Sequence, residues 1–374
     1  MTTSTDAPRG SAWSRMTGFL ATGWVRWVLA ALLVGLFALL PLLNLSIPGV
    51  LPGPTYTPGS LQILALGLVF AALALSYHVL FGTAGLLSFG HALYFAVGAY
   101  GLGIILENTE LDLLPAIGLT LAGAVVVATV LGAISLRVGG ISFAMVTLAF
   151  AQSGSVLIRR NPAVTGGEEG LALATEHIPD FFIGVFNIRN LYWLALAVVV
   201  VVFLVVRWFE RSRAGHVTAA VRENELRVRV LGLPPFAAKW VAFVLGSVLA
   251  AVAGILYLLL QSGVTPGAVS ADFTLTILVI VVLGGVGSRW GAVIGAIVYT
   301  LLDQRLTALA GSEAIEALPA VLRIPLSEPL FLLGTLFILV VLFLPGGIVG
   351  VAGRIRRGSR RRDEARDRLE EAEG

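Results

Sequence analysis

The chain has 374 residues, of which 57% are hydrophobic and 13% charged, and its mean hydropathy is +0.93. This composition is too apolar for a soluble domain of such length, so it predicts an integral membrane protein that crosses the bilayer many times. The absence of cysteine excludes disulfides, thiolate metal sites and cysteine nucleophiles. The net charge of +3 does not indicate a nucleic-acid partner, because the arginines flank apolar runs and form no single basic face.

A polar segment, residues 1–26, precedes the first apolar run, Trp27 to Leu45. The run is long enough to cross a bilayer, and no small-x-small cleavage site of a signal peptide follows it. Residues 1–26 contain arginines, which favour the cytoplasmic side of a membrane. We therefore expect a cytoplasmic N-terminal segment over 1–26 and a transmembrane domain over 27–350.

The second apolar run, Gln62 to Leu80, leads into a segment with a glycine at nearly every turn. Glycine costs about 1 kcal/mol relative to alanine in a helix interior. Backbone groups freed within a bilayer are tolerated only where protein or a water-filled cavity satisfies them. The pattern predicts a glycine-broken helix near Gly82 to Gly103, which either lines a path through the membrane or packs closely against neighbouring helices.

His91 and His78 are the only ionisable side chains, tyrosines aside, in the middle of predicted spans. Ionisable groups within a membrane are candidates for function. A neutral imidazole can also do no more than join two helices by a hydrogen bond, and no acidic residue falls in a predicted span to complete a proton relay. The sequence leaves both interpretations of His91 open.

Two further apolar runs, the second ending near Ile158, lead to a long polar stretch over 159–190. The alternation of spans predicts that this stretch is an external loop. It is rich in glycine around Thr165 but is not a P-loop, because no lysine and no helix-opening serine or threonine follows the glycines. We expect a structural element at the outer mouth of the protein.

The longest charged interval between apolar runs is 207–239, and its excess of basic residues predicts a cytoplasmic position. Glu223 precedes Arg227 by four residues. Glu225 precedes Arg229 by the same spacing, so two acid-before-base pairs support a helix. The two prolines that follow end this helix. Such a loop can be a solvated connector or a short cytoplasmic helix that binds a partner.

The last third of the chain adds a short run, Thr274 to Val286, a glycine-rich turn and two more runs, before a charged tail over 351–374. The sequence thus predicts an all-α integral membrane protein with about ten transmembrane helices and both termini in the cytoplasm. The distribution of basic residues supports this orientation. Of the 25 basic residues, those on segments assigned to the outside are Arg159, Arg160, Arg189, Arg305 and Arg323.

Four segments, in order, resemble one family. They are Gly85-Leu-Leu-Ser-Phe-Gly-His-Ala-Leu-Tyr-Phe-Ala-Val-Gly-Ala-Tyr100, Thr165-Gly-Gly with Gly170-Leu171, Arg222-Glu-Asn-Glu225 with Gly232-Leu-Pro234, and Leu283-Gly-Gly-Val-Gly-Ser-Arg-Trp-Gly291. From about Gln62 to Gly350 the chain resembles the LivM-like permease subunits of branched-chain amino-acid ABC importers. It departs from the family at Arg227-Val228, where small residues are usual.

The resemblance implies a permease subunit in the bacterial plasma membrane that forms half of the translocation path for branched-chain amino acids. Its partners would be a second, LivH-like permease, two ATP-binding cassette subunits and an extracytoplasmic substrate-binding protein. This chain would be no enzyme and would hold no cofactor or metal, because ATP and Mg²⁺ would be bound by the partner subunits. The 207–239 loop would dock into the ATPase.

The resemblance also implies roles for particular residues. Those of the loop that would couple to the ATPase are Arg222, Glu223, Asn224, Glu225 and Gly232. Those that would line the translocation path are Gly85, Ser88, Gly90, His91 and Tyr94.

Two alternatives differ in cargo or in class. A permease for urea or short amides would have a closely similar sequence. A secondary transporter or channel that works alone would also have broken helices, but no Asp, Glu, Arg or Lys falls in the centre of a predicted span to couple a proton or sodium ion. An intramembrane enzyme would need a nucleophile with a base, or a set of metal ligands, that the spans do not contain.

Overall fold

The computed structural model describes residues 23–46, 51–184, 187–310, 323, 326–343 and 346–350. Within these residues the protein is a bundle of α-helices with one small β-ribbon. Most of the predicted segment 1–26 and all of the charged tail 351–374 lie outside the described residues.

The α-helices of six or more residues are numbered in chain order, which leaves out the single turn Pro162–Thr165. They are α1 (Gly23–Leu39), α2 (Pro58–Tyr77), α3 (His91–Asn108), α4 (Leu113–Ser135), α5 (Ile141–Arg159), α6 (Ile188–Arg211), α7 (Arg213–Glu223), α8 (Glu225–Val230), α9 (Pro235–Gln261), α10 (Ala271–Gly284), α11 (Arg289–Ala310) and α12 (Pro329–Phe343). A π-helical turn, His78–Thr83, extends α2.

Six helices of the described residues are long and apolar enough to cross a membrane, namely α2 with its extension, α4, α5, α6, α9 and α11. They establish a multi-pass membrane protein. The other predicted spans correspond to α1, α3, α10 and α12, which have 17, 18, 14 and 15 residues. The predicted total of about ten spans and the cytoplasmic position of both termini stay predictions.

Two helices continue past the apolar part of their spans. Helix α6 continues past Val206 to Arg211, and its Glu210 contacts groups on two other helices. Helix α11 continues past Leu302 to Ala310. In both cases the fall in hydropathy preceded the end of the helix, because charged residues can extend a helix past its apolar part.

The centre of the bundle is formed by α2 and α9, whose apolar stretches are mostly buried, whereas most of α4 is exposed. Helix α9 contacts α3 along much of its length, and the two backbones touch. A Cβ added at Gly98 would lie 2.6 Å from the carbonyl carbon of Ala251, and one added at Gly254 would lie 2.9 Å from that of Phe95. Only glycine permits this approach, as in other membrane helix pairs.

The β-ribbon lies at the end of α9 marked by Gln261. Strand β1 (Leu171–Ala172) pairs antiparallel with β2 (Gly263–Val264). The sequence pattern did not indicate this ribbon, because two residues are too few to show an alternation. We call this end of the molecule the ribbon end, and the opposite end, where α7 and α8 lie, the charged end.

Candidate functional site

The interval between α6 and α9 folds as two helices, where the sequence predicted one. Ser212 caps α7, since its Oγ accepts a hydrogen bond of 3.1 Å from the Gly215 amide. Asn224 is extended, with φ −159° and ψ 98°, so it ends α7. Its Oδ1 then accepts a 2.9 Å hydrogen bond from the Arg227 amide and caps α8. Asn224 is therefore a corner between two helices.

Glu225 joins α8 to the first turn of α9. Its carboxylate lies 2.5 Å from Lys239 Nζ and 3.2 Å from Arg229 Nη2. The hydrogen bond from Lys239, more than any other contact, lowers the pKa of the Glu225 carboxyl below its ordinary value. The predicted pair of Glu225 with Arg229 is confirmed. The predicted pair of Glu223 with Arg227 was wrong, because the Asn224 corner places the two residues on different helices.

A small apolar core holds α7, α8 and the start of α9 together as one body, which we call the loop unit. Its buried residues are Val221, Val228 and Ala238. Thr218 adds a hydrogen bond of 3.2 Å to the carbonyl oxygen of Ala238. At the end of α8, Gly232 has a φ of +77°, a conformation that side chains disfavour. The loop unit therefore has a defined shape of its own.

The loop unit exposes apolar side chains on α8 and just after it. Leu226, Val230 and Leu231 are 68%, 80% and 72% exposed, and we call this surface the α8 face. Single exposed apolar residues are common on proteins, but three on one six-residue helix and its end form a patch. Such patches mark interaction sites.

Arg222 extends towards the π-helical turn at the end of α2. Its Nη1 donates a hydrogen bond to the carbonyl oxygen of Gly82. Its aliphatic part covers Gly85, where an added Cβ would lie 2.7 Å from Arg222 Cγ. Gly85 also has a φ of +69°, so this residue needs glycine for two reasons. Arg222 thus links the loop unit to the segment that follows α2.

The predicted break in the helix is confirmed, and it lies over 84–90. The wide π-helical turn at the end of α2 precedes it, and turns of this kind often occur at functional sites. The amide of Ala84 donates to Val79 O at 3.1 Å and that of Leu86 to Leu80 O at 2.9 Å. Helix structure resumes at His91, so the glycines beyond it, including Gly98, lie within a continuous helix.

His91 is fully buried at the start of α3. Its Nε2 lies 2.8 Å from Ser76 Oγ, and the Ser76 hydroxyl donates to the Leu73 carbonyl at 2.6 Å. Because that hydroxyl hydrogen is used, the imidazole donates through Nε2. The ring also contacts Tyr77 edge-on, with centroids 5.1 Å apart, and Tyr77 Oη donates to Ser88 O at 3.1 Å. His91 therefore joins α2 to α3.

Of the five residues assigned to the path from sequence, four are buried, namely Ser88, Gly90, His91 and Tyr94, and Gly85 is exposed. A Cβ at Gly90 would overlap the carbonyl of Thr147 on α5, whose Oγ1 accepts a 3.1 Å hydrogen bond from the amide of Phe89. The Tyr94 ring lies edge-on to Phe243, 5.5 Å between centroids. The structure thus places Ser88, Gly90, His91 and Tyr94 where α2, α3, α5 and α9 meet, whereas Gly85 lies against Arg222.

A charged cluster at the same end was missed by sequence reasoning. Glu210 Oε1 lies 2.8 Å from His78 Nε2, and its Oε2 lies 3.0 Å from Arg289 Nε. The Arg289 guanidinium also lies 5.5 Å from the centroid of the Phe203 ring. The cluster joins the π-helical turn of α2, the end of α6 and the start of α11. No local spacing could indicate it, because 132 residues separate His78 from Glu210.

The sequence matches a family model described as the permease component of the branched-chain amino acid transport system, over residues 59–344. This match includes the loop unit, the broken segment and the charged cluster.

Several relatives carry that function in their names. The chain is 31% identical to the LivM permease protein of high-affinity branched-chain amino acid transport from Escherichia coli K12, over 264 residues, which are 64% of this chain and 61% of the relative. It is 24% identical to the LivH permease protein of the same strain over 305 residues, 76% of this chain and 92% of the relative. It is 25% identical to BraD of Pseudomonas aeruginosa over 303 residues, 77% and 93% of the two chains.

Proposed function

Because this chain belongs to the family of permease components of branched-chain amino acid transport systems, we propose that it is a permease subunit of an ATP-driven ABC importer. It forms half of the translocation path, and its loop unit couples that path to a cytoplasmic ATPase. The ATPase, not this chain, binds ATP and Mg²⁺ and hydrolyses the nucleotide.

The observation that carries this proposal is the two-sided form of the loop unit. On one side the α8 face exposes Leu226, Val230 and Leu231, an apolar patch suited to a groove on a soluble partner. On another side Arg222 is hydrogen-bonded to Gly82, beside the break in the membrane helix. A partner that moves α8 therefore also displaces the contact at Gly82.

The mechanism is alternating access. ATP brings the two ATPase subunits together, and the loop unit moves with them as one body because Glu225 fixes α8 to α9. The segment around Gly82 and Gly85 follows through Arg222 and opens or closes the path. This requires the ATPase to bind the loop unit with different affinity in the two states, since only differential affinity shifts a conformational equilibrium.

The assembly contains a second, LivH-like permease, two ATP-binding cassette subunits and an extracytoplasmic binding protein, in a bacterial plasma membrane. The similarity to both LivM and LivH relatives supports two related permeases that share one fold. In this arrangement the charged end and both termini are cytoplasmic, and the ribbon end faces outward. The bias of basic residues towards the charged end supports the orientation.

The cargo is a branched-chain amino acid, as the names of the relatives indicate. Urea or a short amide is the alternative cargo, which uptake assays with labelled leucine and labelled urea distinguish.

The experiment that tests the proposal is affinity purification of the tagged chain in mild detergent, with identification of the proteins recovered. We expect an ATPase and a second permease. The double variant Leu226→Glu and Val230→Glu should lose the ATPase and keep the second permease, because it charges only the α8 face. The matched control Arg227→Glu changes charge on the same helix without touching its apolar residues and should keep both. Recovery of this chain alone, still able to move solute in liposomes without ATP, would show a secondary transporter instead.

A further inference from the structure

One side of helix α5 is exposed along its whole length, and we call it the α5 face. It includes apolar residues, but also a carboxamide and hydroxyl groups. Its exposed residues from the charged end to the ribbon end are Ile141, Ser142, Met145, Ala149, Gln152, Ser153, Val156 and Leu157.

The polar groups of the α5 face lie within the span, not only at its ends. At a rise of about 1.5 Å per residue, Gln152 lies about 16 Å from the start of α5 and about 10 Å from its end. The Gln152 side chain makes no hydrogen bond with any of the described residues. The neighbouring Ser153 hydroxyl donates to the Ala149 carbonyl at 2.8 Å and so keeps only its acceptor capacity free.

Helix α4, which contacts α5, has an exposed surface of a composition suited to lipid. Its exposed residues are Leu114, Pro115, Gly118, Leu119, Ala122, Gly123, Val125, Val126, Val130 and Ile134, all of them apolar. Lipid tails offer no hydrogen bond, so an unpaired carboxamide facing them is costly. The α5 face therefore differs from the α4 surface because it carries polar groups, which lipid tails cannot satisfy with hydrogen bonds.

The opposite side of α5 packs against the broken segment. Thr147 accepts a hydrogen bond from the amide of Phe89 at 3.1 Å, and Gly90 lies directly against the Thr147 backbone. The α5 face is thus the outer surface of a helix whose inner surface contacts the segment 84–90, and that segment follows Gly82, the residue that Arg222 binds. A displacement of the broken segment reaches the α5 face through a single helix.

We propose that the α5 face is a wall of the aqueous translocation path and that the Gln152 carboxamide hydrogen-bonds the solute there. This proposal rests on the proposed function, because it takes the chain to be half of a two-permease path. The solute class is a small molecule with both donors and acceptors and no net charge, such as the zwitterionic head of an amino acid. A carboxamide offers both a carbonyl acceptor and N–H donors, and α5 carries no charged residue from Ile141 to Ile158.

Substituted-cysteine labelling tests the proposal directly, because the chain contains no cysteine of its own. Gln152→Cys is introduced into the complete transporter in membrane vesicles and treated with a charged, membrane-impermeant thiol reagent. Labelling of this chain is measured by mass spectrometry, with and without ATP and with and without leucine.

Val126→Cys, on the apolar exposed surface of α4, is the first control. In at least one nucleotide state we expect Gln152→Cys to be labelled about tenfold faster than Val126→Cys, or more. Leucine should slow the labelling. Ala151→Cys, a buried position on the same helix, is the second control and should not react. Ala149→Cys on the same face should be labelled like Gln152→Cys.

Two results would overturn the proposal. In the first, Gln152→Cys is labelled no faster than Val126→Cys in every state, which would place the α5 face against lipid or against the second permease. A disulfide to a cysteine introduced in the second permease would identify the latter case. Labelling that leucine does not slow would contradict the solute contact. Both results are independent of the purification test, since labelling reports water and solute at Gln152 whether or not an ATPase is bound.

An uptake assay on variants of Gln152 separates an effect on solute binding from an effect on folding. Gln152→Asn keeps the carboxamide and should retain uptake, whereas Gln152→Leu should raise the KM for uptake about tenfold or more with ATPase activity and membrane levels unchanged. Equal KM values for both variants and the unsubstituted protein would contradict the role of the carboxamide.

Discussion

The charged end and the interior of the bundle hold their helices together in opposite ways. At the charged end the helices are joined by long side chains, as in the contact of Glu210 with His78 and Arg289. In the interior α3 and α9 are joined where side chains are absent, at Gly98 and Gly254. The first kind of contact can be broken and remade with water present, whereas the second has no alternative partner within lipid.

This difference indicates where the molecule can move. The contact of α3 with α9 is close-packed and allows little sliding, because packed interiors deform poorly. The loop unit, by contrast, contacts the broken segment through Arg222, whose guanidinium binds Gly82 and whose aliphatic part lies against Gly85. We therefore propose that the conformational change occurs at the charged end and in the segment 84–90, and that α3 and the part of α9 around Ala251 and Gly254 remain a rigid pair.

The largest effect is expected from Gly254→Leu. The new side chain would meet the backbone of Phe95, so α3 and α9 must separate. Overpacking of this kind costs about 1–3 kcal/mol of folding free energy, and sometimes more. We expect loss of folded protein, measured as the yield of monodisperse protein in mild detergent. Gly123→Leu on α4, where an added Cβ meets nothing within 4 Å, is the matched control. Equal yields would show that α3 and α9 can separate without loss of folded protein.

The next effect is expected from Gly90→Leu, which should abolish transport. A Cβ there would overlap the Thr147 carbonyl, so the segment 84–90 can no longer lie against α5. Because the loss is local, we expect folded protein with ATPase activity but without uptake of labelled leucine. Unchanged uptake would show that the broken segment is only scaffold.

Glu225→Lys should have an intermediate effect. It places a third positive charge beside Lys239 and Arg229 and detaches α8 from α9. We expect ATP hydrolysis without uptake, with the two permeases still assembled. The control is Arg227→Glu, which also reverses one charge on α8 but removes no ion pair within the described residues. If uptake per ATP hydrolysed is unchanged in Glu225→Lys, the ion pair does not hold the loop unit together.

The smallest effect concerns pH. The pKa of Glu225 is lower than its ordinary value, mainly through the hydrogen bond from Lys239. A carboxylate of this kind stabilises the fold above its unfolded-state pKa, and the stabilisation is lost as pH falls through the folded-state pKa. It amounts to about 1 kcal/mol or less, because the carboxylate is 40% exposed.

Thermal unfolding of the unsubstituted protein and of Glu225→Gln, followed from about pH 7 to about pH 3, measures this. The difference in Tm between the two should be largest at neutral pH and should shrink as the pH falls below the ordinary carboxyl pKa towards the lower folded-state pKa. A difference that is constant with pH would show that the charge of Glu225 contributes nothing.

The sequence was sufficient for properties that depend on local pattern. Hydropathy predicted the membrane class, glycine density predicted a broken helix within Gly82 to Gly103, and the spacing of Glu225 to Arg229 predicted an ion pair that the structure contains. The branched-chain permease family was also indicated by short segments of sequence, and the family match confirms it.

The sequence was insufficient for contacts between distant residues. Arg222 reads as part of a charged loop, and only the fold shows that it donates to Gly82, 140 residues earlier. In the sequence, Asn224 lies in the middle of what looks like one helix. The structure ends that helix at Asn224 and packs Val221 of α7 against Val228 of α8, a contact that local sequence does not indicate. Gln152 is exposed because the other side of α5, at Thr147, packs against the segment 84–90. An apolar run in the sequence does not show which side of the helix is packed.

The most direct test of the central claim is the ratio of leucine imported to ATP hydrolysed, measured in proteoliposomes with the whole transporter for Arg222→Met. Methionine keeps an aliphatic cover over Gly85 but cannot donate to Gly82. Arg229→Met, which removes a guanidinium from the exposed side of α8, is the matched control. We expect Arg222→Met to hydrolyse ATP at a near-normal rate with uptake reduced about tenfold or more, and Arg229→Met to keep the normal ratio. A normal ratio in Arg222→Met would contradict the claim that this arginine transmits the movement of the loop unit to the membrane path.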